Sequence, residues 1–217
     1  MKLKVCGMKY QNNIEAVSQL QPDYLGFIFH KPSPRYFEDS IPEIDQSISK
    51  VGVFVDYDLP ELIEYIKKYD FKVVQLHGEE SPEFCKELRE YYTDANTKEC
   101  NIKIMKVFSI RDTFDFKVLA PYEPFVDYFL FDTKGELAGG NGYVFNWDIL
   151  QDYPSTKPFF LSGGIGLDEV ENTRAFKENP VSKYCHAIDV NSKFEIEPGL
   201  KDIEQLKEFK NKLSFRT

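Results

Sequence analysis

Eight short apolar runs, spaced ~20 to 30 residues apart like successive βα units, constrain this chain more than any other feature. They are Lys2–Gly7, Tyr24–Phe29, Val51–Asp56, Lys72–His77, Lys103–Phe108, Tyr128–Asp132, Pro158–Ser162 and Cys185–Val190. Most are near-continuous Val, Ile, Leu, Phe and Tyr rather than in–out alternation, the pattern of parallel strands covered on both faces. Between them, the amphipathic segments Leu59–Tyr69, Pro82–Tyr92, Asp168–Lys177 and Leu200–Leu213 predict helices. Ser81 before Pro82 reads as an N-cap followed by proline at the first helical position. The connections after the second, fifth and sixth runs are weaker. Pro42–Ser47 is short, Asp112–Leu119 moderate, and Asn146–Gln151 about a turn and a half. With no Ser- or Gly-rich linker and no break in composition, the alternation favours an α/β fold, a (β/α)8 TIM barrel forming a single domain over residues 1–217. An open doubly wound sheet is the alternative. The length is lean for a barrel, so short loops are expected.

Composition narrows the function. A formal net charge of −9 argues against nucleic acid as a partner, which would require clustered Lys and Arg. An anionic small molecule stays compatible if positive potential is local to a site. The run from Lys201 to Lys212 mixes both signs at helical spacing and reads as a solvated helix face. No apolar stretch approaches the ~20 residues that span a bilayer, and the first residues lack a signal-peptide pattern, so no membrane association is expected. The scattered Cys6, Cys85, Cys100 and Cys185 make neither a zinc pattern nor a disulfide framework, which points to a reducing cytoplasm. The 19 Phe and 13 Tyr predict a core of large rings. The chain starts at the first strand and ends after the last helix, so no fused partner domain is expected.

Barrel active sites lie at the C-terminal ends of the strands. Cys6-Gly7, Ser33-Pro34-Arg35, Asp56, Gln75-Leu76-His77-Gly78, Asp132, Ser162-Gly163-Gly164 and Asp189-Val190-Asn191-Ser192 fall there. Gly163-Gly164 reads as a tight turn or as a phosphate cradle before a helix N-terminus. Its place after the seventh strand, with Asn191-Ser192 after the eighth, favours the cradle. Gly139-Gly140-Asn141-Gly142 reads equally as a turn or as a loop closing over substrate. Cys6 alone would be an inert buried thiol and Asp132 a loop cap. Together they suggest a general acid and a general base across one pocket. His77 reads equally as a substrate-orienting group or a structural histidine.

Several segments, in order, resemble one family: Lys4-Val5-Cys6-Gly7-Met8, Gly26-Phe27 through Ser33-Pro34-Arg35, Val51-Gly52-Val53-Phe54-Val55, and Val74-Gln75-Leu76-His77-Gly78-Glu79. Phe131-Asp132-Thr133, Gly139-Gly140-Asn141-Gly142 with Phe145-Asn146-Trp147, and Leu161-Ser162-Gly163-Gly164-Ile165 follow. Asp189-Val190-Asn191-Ser192 with Glu195, then Gly199-Leu200-Lys201-Asp202, complete the series. Individually modest, in this order they resemble phosphoribosylanthranilate isomerase. The resemblance implies a (β/α)8 barrel and an Amadori rearrangement in tryptophan biosynthesis, without metal or organic cofactor. It further implies Cys6 as base, Asp132 as acid and Arg35 as the contact for the anthranilate carboxylate. Gly163, Gly164, Asn191 and Ser192 would hold phosphate, with His77 and Asp189 as further substrate-binding residues. The partner would be a small phosphorylated molecule, and the chain a monomer or homodimer. Such chemistry needs Asp132 partly protonated and Cys6 partly ionised. Burial is expected to raise the first pKa, and a nearby donor or cation to lower the second. The family usually has Ser-Ser-Gly where this chain has Asn191-Ser192-Lys193. The rivals are a related barrel isomerase or lyase, the histidine-pathway isomerases using two aspartates, and a non-catalytic ligand-binding barrel.

Overall fold

The computed structural model describes residues 1–94, 102–111, 113–133 and 146–213. The glycine-rich segment 139–142, Cys100 and Asp112 lie outside them. Eight parallel strands close into a barrel: β1 (Lys2–Val5), β2 (Tyr24–Ile28), β3 (Ser49–Phe54), β4 (Val73–Leu76), β5 (Lys103–Ile110), β6 (Tyr128–Thr133), β7 (Phe159–Leu161) and β8 (Cys185–Val190). Each apolar run supplies one strand. Closure comes from β8 pairing with β1, which puts Lys4 opposite Asp189 and Val5 opposite Val190.

Side chains alternate along a strand, so one parity fills the lumen and the other meets the outer layer. Outward residues such as Leu3, Val5, Phe27, Val74, Phe129, Leu161 and Val190 join the main core. Inward, Tyr24, Val51, Val73, Met105, Leu130, Phe160 and Ala187 form one buried cluster. Following that same parity toward the C-terminal ends changes the chemistry from apolar to polar. It reaches Lys4 and Cys6 on the first strand, Gln75 and His77 on the fourth, Asp132 on the sixth, Ser162 on the seventh and Asp189 on the eighth.

Five α-helices surround the barrel among the described residues: α1 (Gln11–Ser18), α2 (Leu59–Tyr69), α3 (Pro82–Asp94), α4 (Val170–Lys177) and α5 (Ile203–Leu213). Asp58 caps α2 by accepting from the Glu61 amide at 2.8 Å, and Ser81 caps α3 through the Phe84 amide at 3.2 Å. The expectation of short loops fails at the β2–β3 crossover, residues 29–48, which has no helix. Phe37 fills that side instead, packing on Phe27, Phe29 and Tyr69. The β5–β6 and β6–β7 connections hold only the 3-10 turns Phe116–Leu119 and Trp147–Asp152. The segment read as Asp168–Lys177 opens as a 3-10 turn, Leu167–Glu169, before α4.

The largest correction is at the C-terminus. Leu200–Lys201 is not helical but β10, paired antiparallel with β9 (Glu195–Glu197). Asp202 starts α5 by accepting from the Gln205 amide at 3.0 Å. Lys201 is therefore off the solvated helix face and only 1% exposed. Asn13 clamps its backbone, donating to its carbonyl at 2.9 Å and accepting from its amide at 2.8 Å. Among the described residues, no helix is long and apolar enough to cross a membrane. Cys6, Cys85 and Cys185 are free thiols.

Candidate active site

At the end of β1 the Cys6 amide donates to the Val190 carbonyl at 2.8 Å, which seats the buried thiol at the mouth. Gly26 on β2 makes room for it, since a Cβ there would stand 2.8 Å from the sulfur. Two residues earlier on the same face, the wholly buried Lys4 donates from Nζ to Asp189 Oδ2 at 2.7 Å. Asp189 Oδ1, also buried, has no hydrogen-bond partner among the described residues. Asp189 thus stands in the lumen as the counter-ion of Lys4, with one oxygen left over. The Lys4 charge also acts on Cys6 and, more weakly, on His77 and Asp132. The expected direction for Cys6 is overturned. Burial pushes the thiol up, and the opposing pull of Lys4 does not cancel it.

On the other side, Asp132 is held above the ordinary carboxylate range by burial, against a hydrogen bond from Ser162. This is the direction expected. His77 Nε2 lies 3.7 Å from Asp132 Oδ2. Burial and the charge of Lys106 push the imidazole down to about 4, so it is neutral near pH 7. A neutral ring carries no positive charge, so it does not favour the ionised form of Asp132 as an imidazolium at that distance would. The loop bearing His77 is set by the buried Glu80, which accepts from the Asp56 amide at 3.1 Å and the Gly78 amide at 3.0 Å. Lys106 Nζ ties Glu80 Oε2 at 2.9 Å to the Gly78 carbonyl at 2.7 Å. Asp56 accepts from the Glu79 amide at 2.7 Å, and so organises this loop.

Arg35 reaches the mouth from the β2–β3 crossover, its Cδ 2.9 Å from where a Cβ on Gly7 would lie. It pairs with Glu195 through Nε, at 2.9 and 3.0 Å, and Nη2, at 2.6 Å. Burial opposes charge on Glu195, yet Arg35 and Lys201 outweigh it and hold the carboxyl below its ordinary range. Asn191 Oδ1 accepts from Lys201 Nζ at 2.6 Å, so this side-chain oxygen faces inward.

After β7, Gly163 and Gly164 both have positive φ, +93° and +68°, a backbone that suits glycine. A Cβ on Gly163 would also lie 2.4 Å from the Thr133 amide nitrogen. A turn of this shape therefore requires glycine whatever it binds. Gly166 then approaches Lys193, 3.1 Å from its own would-be Cβ to Lys193 Cβ, which brings the loops after β7 and β8 together. Asn191 begins the short 3-10 turn Ser192–Phe194. All nine sequence-predicted residues thus lie around one end of the barrel. Sequence reasoning passed over Lys4, Lys106 and the buried role of Lys201. The available signal for Lys4 was its spacing, two residues before Cys6 on a strand.

A family model described as N-(5'-phosphoribosyl)anthranilate (PRA) isomerase matches residues 3–212. The N-(5'-phosphoribosyl)anthranilate isomerase of Parabacteroides distasonis is 41% identical over 215 residues, covering 96% of this chain and 91% of that one. The solved phosphoribosyl anthranilate isomerase of Thermotoga maritima is similar with a TM-score of 0.80 at 27% identity, covering 98% of each chain. A phosphoribosyl anthranilate isomerase in complex with reduced 1-(o-carboxyphenylamino)-1-deoxyribulose 5-phosphate is similar with a TM-score of 0.75 at 25% identity, again over 98% of each.

Proposed function

The chain belongs to the N-(5'-phosphoribosyl)anthranilate isomerase family, and on that premise we propose that Cys6 is the base and Asp132 the acid of its reaction. The enzyme isomerises N-(5'-phosphoribosyl)anthranilate to 1-(2-carboxyphenylamino)-1-deoxyribulose 5-phosphate, a step of tryptophan biosynthesis. The observation that supports the assignment is one of parity. Cys6 and Asp132 occupy lumen-facing positions at the C-terminal ends of β1 and β6, and both feel the charge of Lys4.

Protonated Asp132 donates to the ribose ring oxygen, the C1–O bond breaks, and the nitrogen lone pair forms an iminium. The iminium acidifies the proton at C2, which the Cys6 thiolate removes. The resulting enolamine takes a proton at C1 and loses the one on its C2 hydroxyl, becoming the C2 ketone. The substrate nitrogen donates its lone pair in ring opening and, as the iminium, accepts electrons when C2 is deprotonated. Burial favours the acid form of Asp132, as its task requires. It also favours the thiol of Cys6, so the productive thiolate is a minority form that the lysine beside it makes accessible.

Arg35 takes the anthranilate carboxylate, a planar bidentate partner for a guanidinium. Gly163, Gly164, Asn191 and Ser192 take the phosphate mainly through backbone N–H groups, with the Lys193 charge nearby. His77 and Asp189 complete the pocket. The whole chain acts as one catalytic domain on a small phosphorylated substrate, in the cytoplasm. The test is direct: add substrate to pure, folded protein and follow the fluorescence of the anthranilate conjugate. Decay dependent on Cys6 supports this reading. A folded protein that binds phosphate without turnover would return a ligand-binding barrel.

A further inference from the structure

Arg35 lies in the crossover without a helix, yet its guanidinium is fixed on one edge. Its Nε donates to both oxygens of Glu195, at 2.9 and 3.0 Å, and its Nη2 to Oε2 at 2.6 Å. Glu195 cannot swing with it, because Oε1 also accepts from Lys201 Nζ at 2.6 Å and from the Gly199 amide at 3.0 Å. Lys201 is itself immobilised, with its backbone clamped by Asn13 and its Nζ on Asn191 Oδ1 at 2.6 Å. A planar guanidinium has more than one two-donor edge, and fixing one aims the others. The edge formed by Nη1 and the second hydrogen of Nη2 has no partner among the described residues.

Charge points the same way. Arg35 and Lys201 share one carboxylate, so the cluster carries one excess positive charge, which a single carboxylate would neutralise. A braced carboxylate holding an arginine is also worth more than an arginine alone, since the ordering cost is met before the ligand arrives.

We propose that Glu195, braced by Lys201, is a positioning residue that aims the outer edge of Arg35 at the substrate's aromatic carboxylate and sets the preference for a carboxylate-bearing amine. This rests on the role given to Arg35 above. Two ligands test it, the reduced product analogue and the same compound lacking the aromatic carboxylate, with dissociation constants measured for wild type, Arg35→Ala, Glu195→Gln and Glu195→Asp. The aspartate variant keeps the buried charge, and so protects the experiment against a glutamine variant that fails to fold.

Wild type should prefer the carboxylate form, and Arg35→Ala should abolish the preference. Both Glu195 variants should cut it by on the order of tenfold, the scale of a small misplacement, with affinity for the decarboxylated ligand unchanged. If Arg35→Ala loses the preference while the Glu195 variants keep it, the positioning role is wrong and the reading of Arg35 stands. If Arg35→Ala keeps the preference, that reading itself fails. Equal weakening of both ligands by the Glu195 variants would overturn the proposal by reducing Glu195 to a structural residue.

Discussion

A lysine taken wholly out of water loses hydration worth several kcal/mol unless a partner and hydrogen bonds offset it. Lys4 is such a lysine, and Asp189 is its counter-ion. The charged groups acting on Cys6 are Lys4 on its own strand, Asp189 on β8 and Lys201 on β10. Lys4 lowers the thiol pKa by more than Asp189 raises it. Cys6 must lose its proton to act as base, so removing this cation moves its ionisation to higher pH. The Lys4→Met enzyme should therefore show an alkaline limb of kcat/KM displaced upward. Its rate near neutrality should fall by up to about tenfold for each unit of displacement, less whatever the accompanying rise of the Asp132 pKa restores. An unmoved limb would make Lys4 mere filling of the barrel. Cys6 and Asp132 stood out in the sequence because they end apolar runs. Lys4 and Lys201 did not, because a lysine near a strand or helix terminus ordinarily reaches solvent. Only strand parity for one, and the Asn13 clamp for the other, bring them inside.

At the scale of elements, the strands were legible because parallel strands buried on both faces are continuous apolar runs. Helices α2 and α3 were equally legible, through amphipathic spacing and, for α3, the Ser81 cap. The short, polar α1 was not, nor was the β9–β10 hairpin, whose pairing depends on Glu195 and Lys201 rather than on any local pattern. The face opposite the mouth makes its own prediction. Asp127, just before β6, pairs with Arg89 of α3, with Lys103 of β5 at 3.0 Å, and with the Ile104 amide at 2.9 Å. Burial opposes its charge, but the Ile104 amide, Arg89 and Lys103 outweigh it and hold the carboxyl below the ordinary range. Its stabilisation is therefore full above the unfolded carboxylate pKa and is lost as pH falls through the lowered folded value. Asp127→Asn should cost about 2 kcal/mol in urea unfolding at pH 7, the scale of hydrogen bonds to a charged group. That loss should shrink in acid, and kcat/KM should stay unchanged. A large fall in activity from a fully folded variant would show that this face is coupled to the mouth.

Across the whole molecule, periodicity distinguished eight βα units more readily than it distinguished a barrel from an open sheet. Closure rests on β8 meeting β1, a pairing between residues nearly a chain length apart. The net charge of −9 contrasts with a mouth where Arg35 and Lys201 exceed their shared carboxylate. Specific anion binding there should stabilise the folded chain. At 100 times its dissociation constant, the reduced product analogue should add about 2.7 kcal/mol to unfolding. For a domain of this size that is a rise of roughly 5 to 10 °C in Tm. No rise at saturating analogue would mean that the mouth does not bind this anion. Turnover of the Cys6→Ala enzyme, measured beside its affinity for the same analogue, tests the assignment of the base most directly. A fall in kcat of at least ~100-fold with affinity retained is the expected result, and turnover at the wild-type rate would contradict it.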